Sequence, residues 1–212
     1  VTMNEGTTLI GKNAFAGCHA LQRVSIPESV VSIQAKAFLN CTELIEIVIP
    51  AKLQSIGDEA FSGCENIDKI EIPDTTESIG DRTFENCSNL SSVIIPGSIS
   101  TIGEEAFSGC TNLSEVTIGD GVGVIRTKAF TACESLCSIT IPASVKAIEG
   151  EAFSGCSRLK SINVHPNNPF FSSIDGFVLD KNGQLQITPT GLLRREIAIP
   201  GGVKSIGDFL FS

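Results

Sequence analysis

The sequence has neither tryptophan nor tyrosine, and it has one methionine and two histidines among 212 residues. All twelve aromatic residues are phenylalanine, so the polar-tipped aromatics that stack on bases or anchor many interfaces are absent. Basic residues are also few, because 15 Lys and Arg stand against 24 Asp and Glu, which gives a net charge of -9. We therefore expect no nucleic-acid partner and no electrostatic attraction to an anionic membrane.

Long apolar runs are missing as well. No segment has the roughly 20 apolar residues that span a bilayer, so we expect no membrane insertion. The N-terminal residues lack the basic stretch and the apolar core of a signal peptide. Because the chain also lacks an initiator Met and begins and stops within a repeat unit, we expect it to be a piece, or a mature product, of a longer protein.

What the sequence does contain is a period of 23 residues. Seven phenylalanines follow it, and so do seven of the eight cysteines, each three positions after a phenylalanine. These two ladders are Phe15, Phe38, Phe61, Phe84, Phe107, Phe130 and Phe153, and Cys18, Cys41, Cys64, Cys87, Cys110, Cys133 and Cys156. Branched apolar residues keep the same period, so one unit reads A-F-x-x-C-x-x-L-x-x-[VI]-x-I-P-x-x-V-x-x-I-x-x-x.

One such unit cannot close a hydrophobic core, because its apolar residues point to one side, whereas stacked units bury one another. The [VI]-x-I segment, with its period of two and its β-branched residues, predicts a short strand that pairs in parallel with the next unit. The proline that usually follows ends this strand. The A-F-x-G-C segment predicts a short helical turn closed by glycine. We therefore predict a single α/β solenoid domain over residues 1–212.

A family resemblance rests on the segments IPESVVSIQAKAFLNC, IPAKLQSIGDEAFSGC and IPGSISTIGEEAFSGC. They closely resemble the BspA-like, or Treponema pallidum type, subclass of leucine-rich repeats, over residues 9–164 and again over 197–212. The resemblance implies a curved, right-handed leucine-rich-repeat coil with a parallel β-sheet on its concave face and turns or short helices opposite. It also implies cell-surface or secreted proteins of host-associated bacteria and some mucosal parasites, which adhere to host proteins or to other microbes.

The period is interrupted once, since the interval from Pro142 to Pro200 is longer than two periods. The segments FVL (177–179) and LQI (185–187) flank DKNG, and Asn-Gly between apolar runs indicates a hairpin. We predict a protruding β-hairpin in an insertion at about 165–196, which resembles the NPxF-x-S-x-DG-VL-x-D-x-x-G segment common in this family. After it, Phe211 takes the place of the repeat phenylalanine and Leu210 that of the alanine.

The predicted sheet has an outer face that is free to bind a partner. The inward positions of each strand hold the same kind of apolar residue in every coil, because they must fill the core. The outward positions vary in sequence from coil to coil. The candidate binding residues are Arg23, Ser25, Glu46, Val48, Lys69, Glu71, Ser92, Ile94, Glu115, Thr117, Ser138, Thr140, Ser161 and Asn163. Residues 58–85 also hold nine acidic against two basic residues, a balance of -7. This stretch fits a docking surface for a basic partner, a weak calcium site, or simply a solvated face.

Catalytic and metal chemistry has little support in the sequence. The ladder cysteines fit small buried hydrophobes, and only Cys133 and Cys137 approach the spacing of a zinc pair. Cys137 breaks the ladder and should be partly exposed and the most reactive thiol. His19 should point outward and His165 opens the insertion, so neither has a partner that the spacing supports. We expect no enzymatic activity, no catalytic residue, no metal and no cofactor.

Two functions from different classes remain. The first is a non-enzymatic binding or adhesion module at the cell surface or outside the cell, whose partner is a protein or glycan of a host or a neighbouring microbe. The second is a structural scaffold in which the solenoid is a spacer without its own ligand. A cysteine hydrolase that uses Cys137 or His165 is a distant third. The localisation follows from the family resemblance alone.

Overall fold

The structure, a computed structural model that describes residues 1–192 and 198–207, is a β-solenoid whose coils have the length of the sequence repeat. Two kinds of strand alternate up to residue 164, and the even-numbered strands are the longer ones. In chain order they are β1 (Leu9–Ile10), β2 (Arg23–Ser25), β3 (Ser32–Ile33), β4 (Glu46–Val48), β5 (Ser55–Ile56), β6 (Lys69–Glu71), β7 (Ser78–Ile79), β8 (Ser92–Ile95), β9 (Thr101–Ile102), β10 (Glu115–Ile118), β11 (Val124–Ile125), β12 (Ser138–Ile141), β13 (Ala147–Ile148) and β14 (Ser161–Val164).

These strands pair in parallel with their counterparts in the adjacent coils. The long strands pair as β2–β4, β6–β8–β10 and β12–β14, with Lys69 opposite Ser92 and Ser92 opposite Glu115. The short strands pair as β1–β3–β5–β7 and β9–β11–β13, with Ser32 opposite Ser55. The predicted long strands are confirmed. The second set of strands, which ends on the isoleucines of the V-x-x-I motif, was not predicted.

The third side of each coil, which carries Phe and Cys, consists of turns. Cys64 N donates to Phe61 O at 3.1 Å within the turn, and Phe61 N donates to Thr83 O of the next coil at 2.8 Å. Glu59 (φ 54) and Gly63 (φ 72) are left-handed, and their N–H groups also donate to the next coil. A helix cannot propagate through left-handed residues whose N–H groups bond outside it.

The α/β class is therefore corrected to a parallel β-solenoid. Among the described residues the one helical element is a 3₁₀ turn, Thr190–Leu192. The segment A-F-x-G-C forms a turn as predicted, but this turn is not a short α-helix.

The core is a stack of identical side chains. The seven ladder phenylalanines form six consecutive stacked pairs, with ring centroids 5.1 to 5.6 Å apart and interplanar angles from 0° to 14°. The five central rings are fully buried, and the leucine, isoleucine and valine columns surround them. Each coil thus buries the apolar side of its neighbours, as the sequence period predicted.

Replacement of Phe84 by Ala should lower the free energy of unfolding by about 3 to 5 kcal/mol, because the cavity would lie between two rings that the neighbouring coils hold in place. Phe171 is half-buried at the edge of the core, so Phe171→Ala should cost less. Urea melts of both variants measure the difference. Equal losses would contradict the ladder as the main source of stability.

Glycine fills a column where coils approach closely. A Cβ at Gly57 would lie 2.5 Å from Ala35 N, one at Gly80 would lie 2.4 Å from Asp58 N, and one at Gly103 would lie 2.6 Å from Gly80 O. None of these three glycines has a positive φ, so the requirement comes from space and not from backbone conformation. The column brings the backbones of successive coils together beside the short strands.

The variant Gly57→Ala tests this close approach. We expect a loss of about 1 to 3 kcal/mol in unfolding free energy, because the new methyl group would meet backbone atoms. The matched control is Gly123→Ala, whose Cβ would have ordinary contacts at 3.5 and 3.6 Å and which should be neutral or stabilising by up to about 1 kcal/mol. Denaturant melts that show the same change for both would refute the steric explanation.

The coils also alternate in pairs along the turn side. The left-handed position that holds Glu59 is basic in one coil and acidic in the next, so a basic residue pairs with the acid of the following coil. These pairs are Lys36–Glu59 at 3.4 Å, Arg82–Glu105, and Lys128–Glu151 at 3.6 Å. Such partly exposed pairs add little stability individually. The pairs recur at every second coil, so each basic residue has its acidic partner in the coil that follows it.

The insertion adds β15 (Phe171–Ile174), β16 (Phe177–Asp180) and β17 (Gln184–Ile187), and β18 (Ser205–Ile206) pairs in parallel with β17. The predicted hairpin is confirmed, since β16 and β17 are antiparallel around 181–183. The prediction that it protrudes is wrong, because Phe177, Leu179 and Leu185 are buried in a small cluster of their own and Val178 belongs to the main core. The predicted roles of Leu210 and Phe211 lie outside the described residues.

A buried amide fastens the insertion to the last regular coil. Asn168, 2% exposed, donates from Nδ2 to Pro142 O at 2.9 Å and to Val145 O at 2.8 Å. Its Oδ1 accepts from the N–H groups of Phe170 and Phe171, both at 2.8 Å. Both donors and both lone pairs of the amide are thereby used. Asn168 is the asparagine of the NPxF segment, and these four hydrogen bonds explain why the segment has asparagine at this position.

Candidate functional site

The outward-facing residues of the even-numbered strands form one continuous surface, which we call the long-strand face. Each strand places its inner residues in the core, as in Arg23–Ser25, where only the central valine is buried. The middle positions Ser25, Val48, Glu71, Ile94, Thr117, Thr140 and Asn163 are all exposed. The flanking candidates Arg23, Glu46, Lys69, Glu115 and Ser138 are exposed too, whereas Ser92 and Ser161 are half-buried. The predicted orientation is confirmed.

The chemistry of the long-strand face changes along the solenoid. In the first coils it is charged and apolar: Val48 is 62% and Ile94 63% exposed, and Glu71 pairs in register beside Ile94. Arg23 and Glu46 form an exposed ion pair at 3.3 Å, which contributes little to stability. From β10 onward the middle positions carry hydroxyl and amide groups. The face therefore offers apolar contacts at one end and hydrogen-bonding groups at the other.

The ladder cysteines are free, and six of them are buried. Each buried thiol donates to the carbonyl oxygen of the phenylalanine in the preceding coil, as Cys64 Sγ does to Phe38 O at 3.1 Å and Cys110 Sγ to Phe84 O at 3.1 Å. The prediction of small buried groups holds for these six, with a hydrogen-bonding role that it missed. Cys18, in the first coil, is exposed and is the exception.

Burial also affects the acidity of thiols in the middle of the ladder. It raises the pKa of Cys87 well above its usual value and raises the pKa of Cys110 to about 12. Cys137 is exposed as predicted, and its Sγ lies 3.5 Å from Ser135 O. His19 is exposed, and His165 Nδ1 accepts from Asn167 N at 3.2 Å within its own turn.

Thiol titration should separate the two classes of cysteine. At pH 8 in the native protein, Cys18 and Cys137 should react rapidly with a thiol reagent such as 5,5′-dithiobis(2-nitrobenzoic acid), while the other six should react only on unfolding. The raised pKa keeps a group such as Cys110 protonated at every pH well below about 12, so it lacks the nucleophilic thiolate. Cys137→Ser should leave one fast thiol. More than two fast thiols in the native protein would contradict the buried ladder.

Acidic residues of the stretch 58–85 are spread around little more than one coil. Within residues 1–192 and 198–207, no three His, Cys, Asp or Glu side chains converge on a point that could hold a metal ion. Asp81 in this stretch pairs with Arg126, whose Nη1 lies 2.9 Å from Oδ1. In the described part of the chain, no helix has the length and apolar character needed to cross a bilayer.

A shallow groove of about 600 Å³ runs along the short strands, on a different side from the long-strand face. Its residues include Ser32, Ser55, Ser78, Gly57 and Asp58, with Lys12 at its N-terminal end. The glycine column creates the groove, because residues with side chains would fill it. Sequence reasoning missed this surface, although the repeated S-I-G segment was its signal.

Several solved structures resemble this one. A leucine-rich cell surface protein from Faecalibacterium prausnitzii has a TM-score of 0.82 and 31% identity over 95% of this chain and 57% of its own. A leucine-rich-repeat protein of T. pallidum has a TM-score of 0.62 and 32% identity over 64% of both chains. The pneumococcal vaccine antigen PcpA has a TM-score of 0.66 and 25% identity over 96% of this chain and 47% of its own. The chain thus spans less than two thirds of each of these proteins.

No curated protein matches the sequence. The family model of the BspA-type leucine-rich-repeat region matches it in six copies, over residues 8–134 and 77–187, and so includes both the regular coils and most of the insertion. Together with the stacked phenylalanines, the parallel strands and the structural relatives, this match shows that the chain belongs to the BspA-type leucine-rich-repeat family.

Proposed function

We propose that this chain is a non-enzymatic binding module of a bacterial cell-surface or secreted protein, and that the long-strand face binds a protein or glycan of a host or neighbouring microbe. The observation that carries the proposal is the contrast between the two sides of each strand. Inner residues keep the same apolar character in every coil, whereas the exposed middle positions change from coil to coil. Such a face can be shaped for a partner without altering the fold.

The arrangement of the long-strand face suits recognition of a broad surface. Parallel hydrogen bonds hold the strands rigidly, so ordering the face on binding costs little conformational entropy. Val48 and Ile94 supply apolar contacts, and the charges of Lys69 and Glu71 lie between them to give selectivity. None of these groups is a nucleophile with a base beside it, which favours binding over catalysis.

The surface setting draws support from the relatives. The F. prausnitzii protein is described as a cell surface protein, and PcpA is described as a vaccine antigen. Both are longer than this chain, which spans 57% and 47% of their lengths. The scaffold hypothesis differs by assigning no ligand to the long-strand face.

The variant Glu71→Lys tests the long-strand face. Partners captured from extracellular matrix, serum or bacterial surface extracts would be identified by mass spectrometry, and their affinity then measured with purified variants. We expect a loss of about tenfold or more, as for a charged residue near the centre of an interface. Unfolding free energy should be unchanged, because Glu71 is exposed.

The matched control is Glu77→Lys. Glu77 lies in the same coil and is also exposed, but it precedes the short strand Ser78–Ile79 and faces another side. Glu85, also in the stretch 58–85, would not serve as a control, because it is half-buried and accepts a hydrogen bond from Ser62 Oγ at 3.3 Å. Equal affinities of both variants and the unmodified protein would remove the long-strand face from consideration. Capture of no partner from any extract would favour the scaffold.

A further inference from the structure

The carboxylate of Asp81 binds the guanidinium group of Arg126 within this chain. Arg126 reaches back across two coils, and its Nη1 lies 2.9 Å from Oδ1 and 3.2 Å from Oδ2 of Asp81. Its Nη2 lies 3.9 Å from Glu104 Oε2. Gly103, between these coils, leaves the carboxylate uncovered, because a Cβ there would lie 2.9 Å from Asp81 Oδ1. The result is a charge-assisted contact of an arginine with both oxygens of one carboxylate.

The same parts occur one coil earlier, at Asp58. Asp58 Oδ1 accepts from Asp81 N at 2.9 Å, just as Asp81 Oδ1 accepts from Glu104 N at 2.8 Å, so the two carboxylates have the same orientation. Gly80 stands where Gly103 stands in the next coil, and a Cβ at Gly80 would lie 2.3 Å from Asp58 Oδ1. Backbone contacts thus fix this carboxylate before any ligand arrives.

What differs is the arginine. The position one coil before Arg126 is Gly103, which has no side chain to extend over Asp58. Asp58 is exposed and lines the groove of about 600 Å³, next to Ser55, Ser78 and Gly80. The groove therefore contains a preorganised carboxylate in the geometry that binds a guanidinium elsewhere in the same chain.

We propose that this groove binds an arginine side chain of a partner protein, with the guanidinium on Asp58 in the place equivalent to that of Arg126 on Asp81. The planar guanidinium fits against the glycine backbone and can donate to one carboxylate from two nitrogens at once, an arrangement that the single nitrogen of an ammonium group does not offer. The surrounding stretch 58–85, with its balance of -7, attracts a basic segment. Lys12 at the end of the groove limits how far such a segment extends.

This site is separate from the long-strand face. Asp58 follows the short strand Ser55–Ile56, whereas Glu71 belongs to the long strand Lys69–Glu71. The proposal therefore does not depend on the function proposed above, and each can fail while the other holds.

The test uses a short peptide with one central arginine and two analogues in which lysine or the uncharged isostere citrulline replaces it. Binding to the ¹⁵N-labelled protein is followed by amide shifts in NMR spectra, with the Asp81 amide as the main reporter because it donates to Asp58. We expect the arginine peptide to shift this amide and the citrulline peptide to leave it unchanged. Asp58→Asn keeps the backbone contact but removes the charge, and should weaken binding at least about tenfold. The control Asp74→Asn removes one exposed charge from the same stretch and should bind as the unmodified protein does.

A second variant opens another copy of the site. Arg126→Ala frees the carboxylate of Asp81, so the arginine peptide should then also shift the Glu104 amide, which donates to Asp81 Oδ1. Equal affinity for arginine and lysine peptides, equal losses in Asp58→Asn and Asp74→Asn, or shifts confined to the long-strand face would each overturn the proposal. These readouts are distinct from those of Glu71→Lys.

Discussion

The structure depends on one constraint: successive coils must stack in register. Parallel strands lie about 4.8 Å apart, so an inner side chain meets its own counterpart in the next coil. A position that satisfies this condition once must satisfy it in every coil, which is why the rings of the phenylalanine ladder repeat at 5.1 to 5.6 Å with nearly parallel planes. Stability becomes a sum over neighbouring coils, and no single coil has a core of its own.

The same constraint decides how buried polar groups are satisfied. The carbonyl of Phe38 accepts from Cys41 N within its turn and from Cys64 Sγ of the next coil. Two threonines that enter the interior donate to carbonyl oxygens: Thr83 donates to Gly80 O at 2.7 Å and Thr76 to Leu53 O at 3.1 Å. Cysteine and threonine thus fit the interior, because each side chain donates to a backbone carbonyl oxygen between coils.

Much of the fold could be predicted from the sequence, because stacking requires the same kind of residue at each inner position every 23 residues. The ladders, the long strands, the hairpin and the outward orientation of Val48 followed directly. The turn side did not, since A-F-x-G-C fits a helical turn, and only the hydrogen bonds of Glu59 and Gly63 to the next coil show why no helix forms. The burial of the hairpin and the groove beside Asp58 arise from contacts between coils, which the pattern of a single unit does not contain.

Function is left to the positions that stacking does not constrain. The backbone beneath an exposed residue is held by its neighbours, so a change at Glu71 or Asp58 alters the chemistry of one surface without altering the path of the chain. One coil can therefore present different chemical groups on different sides. In the coil of Glu71, the long strand presents a charge beside Ile94, while Gly80 leaves Asp58 open on the other side. The surfaces can differ in this way because the repeated interior fixes the backbone beneath both of them.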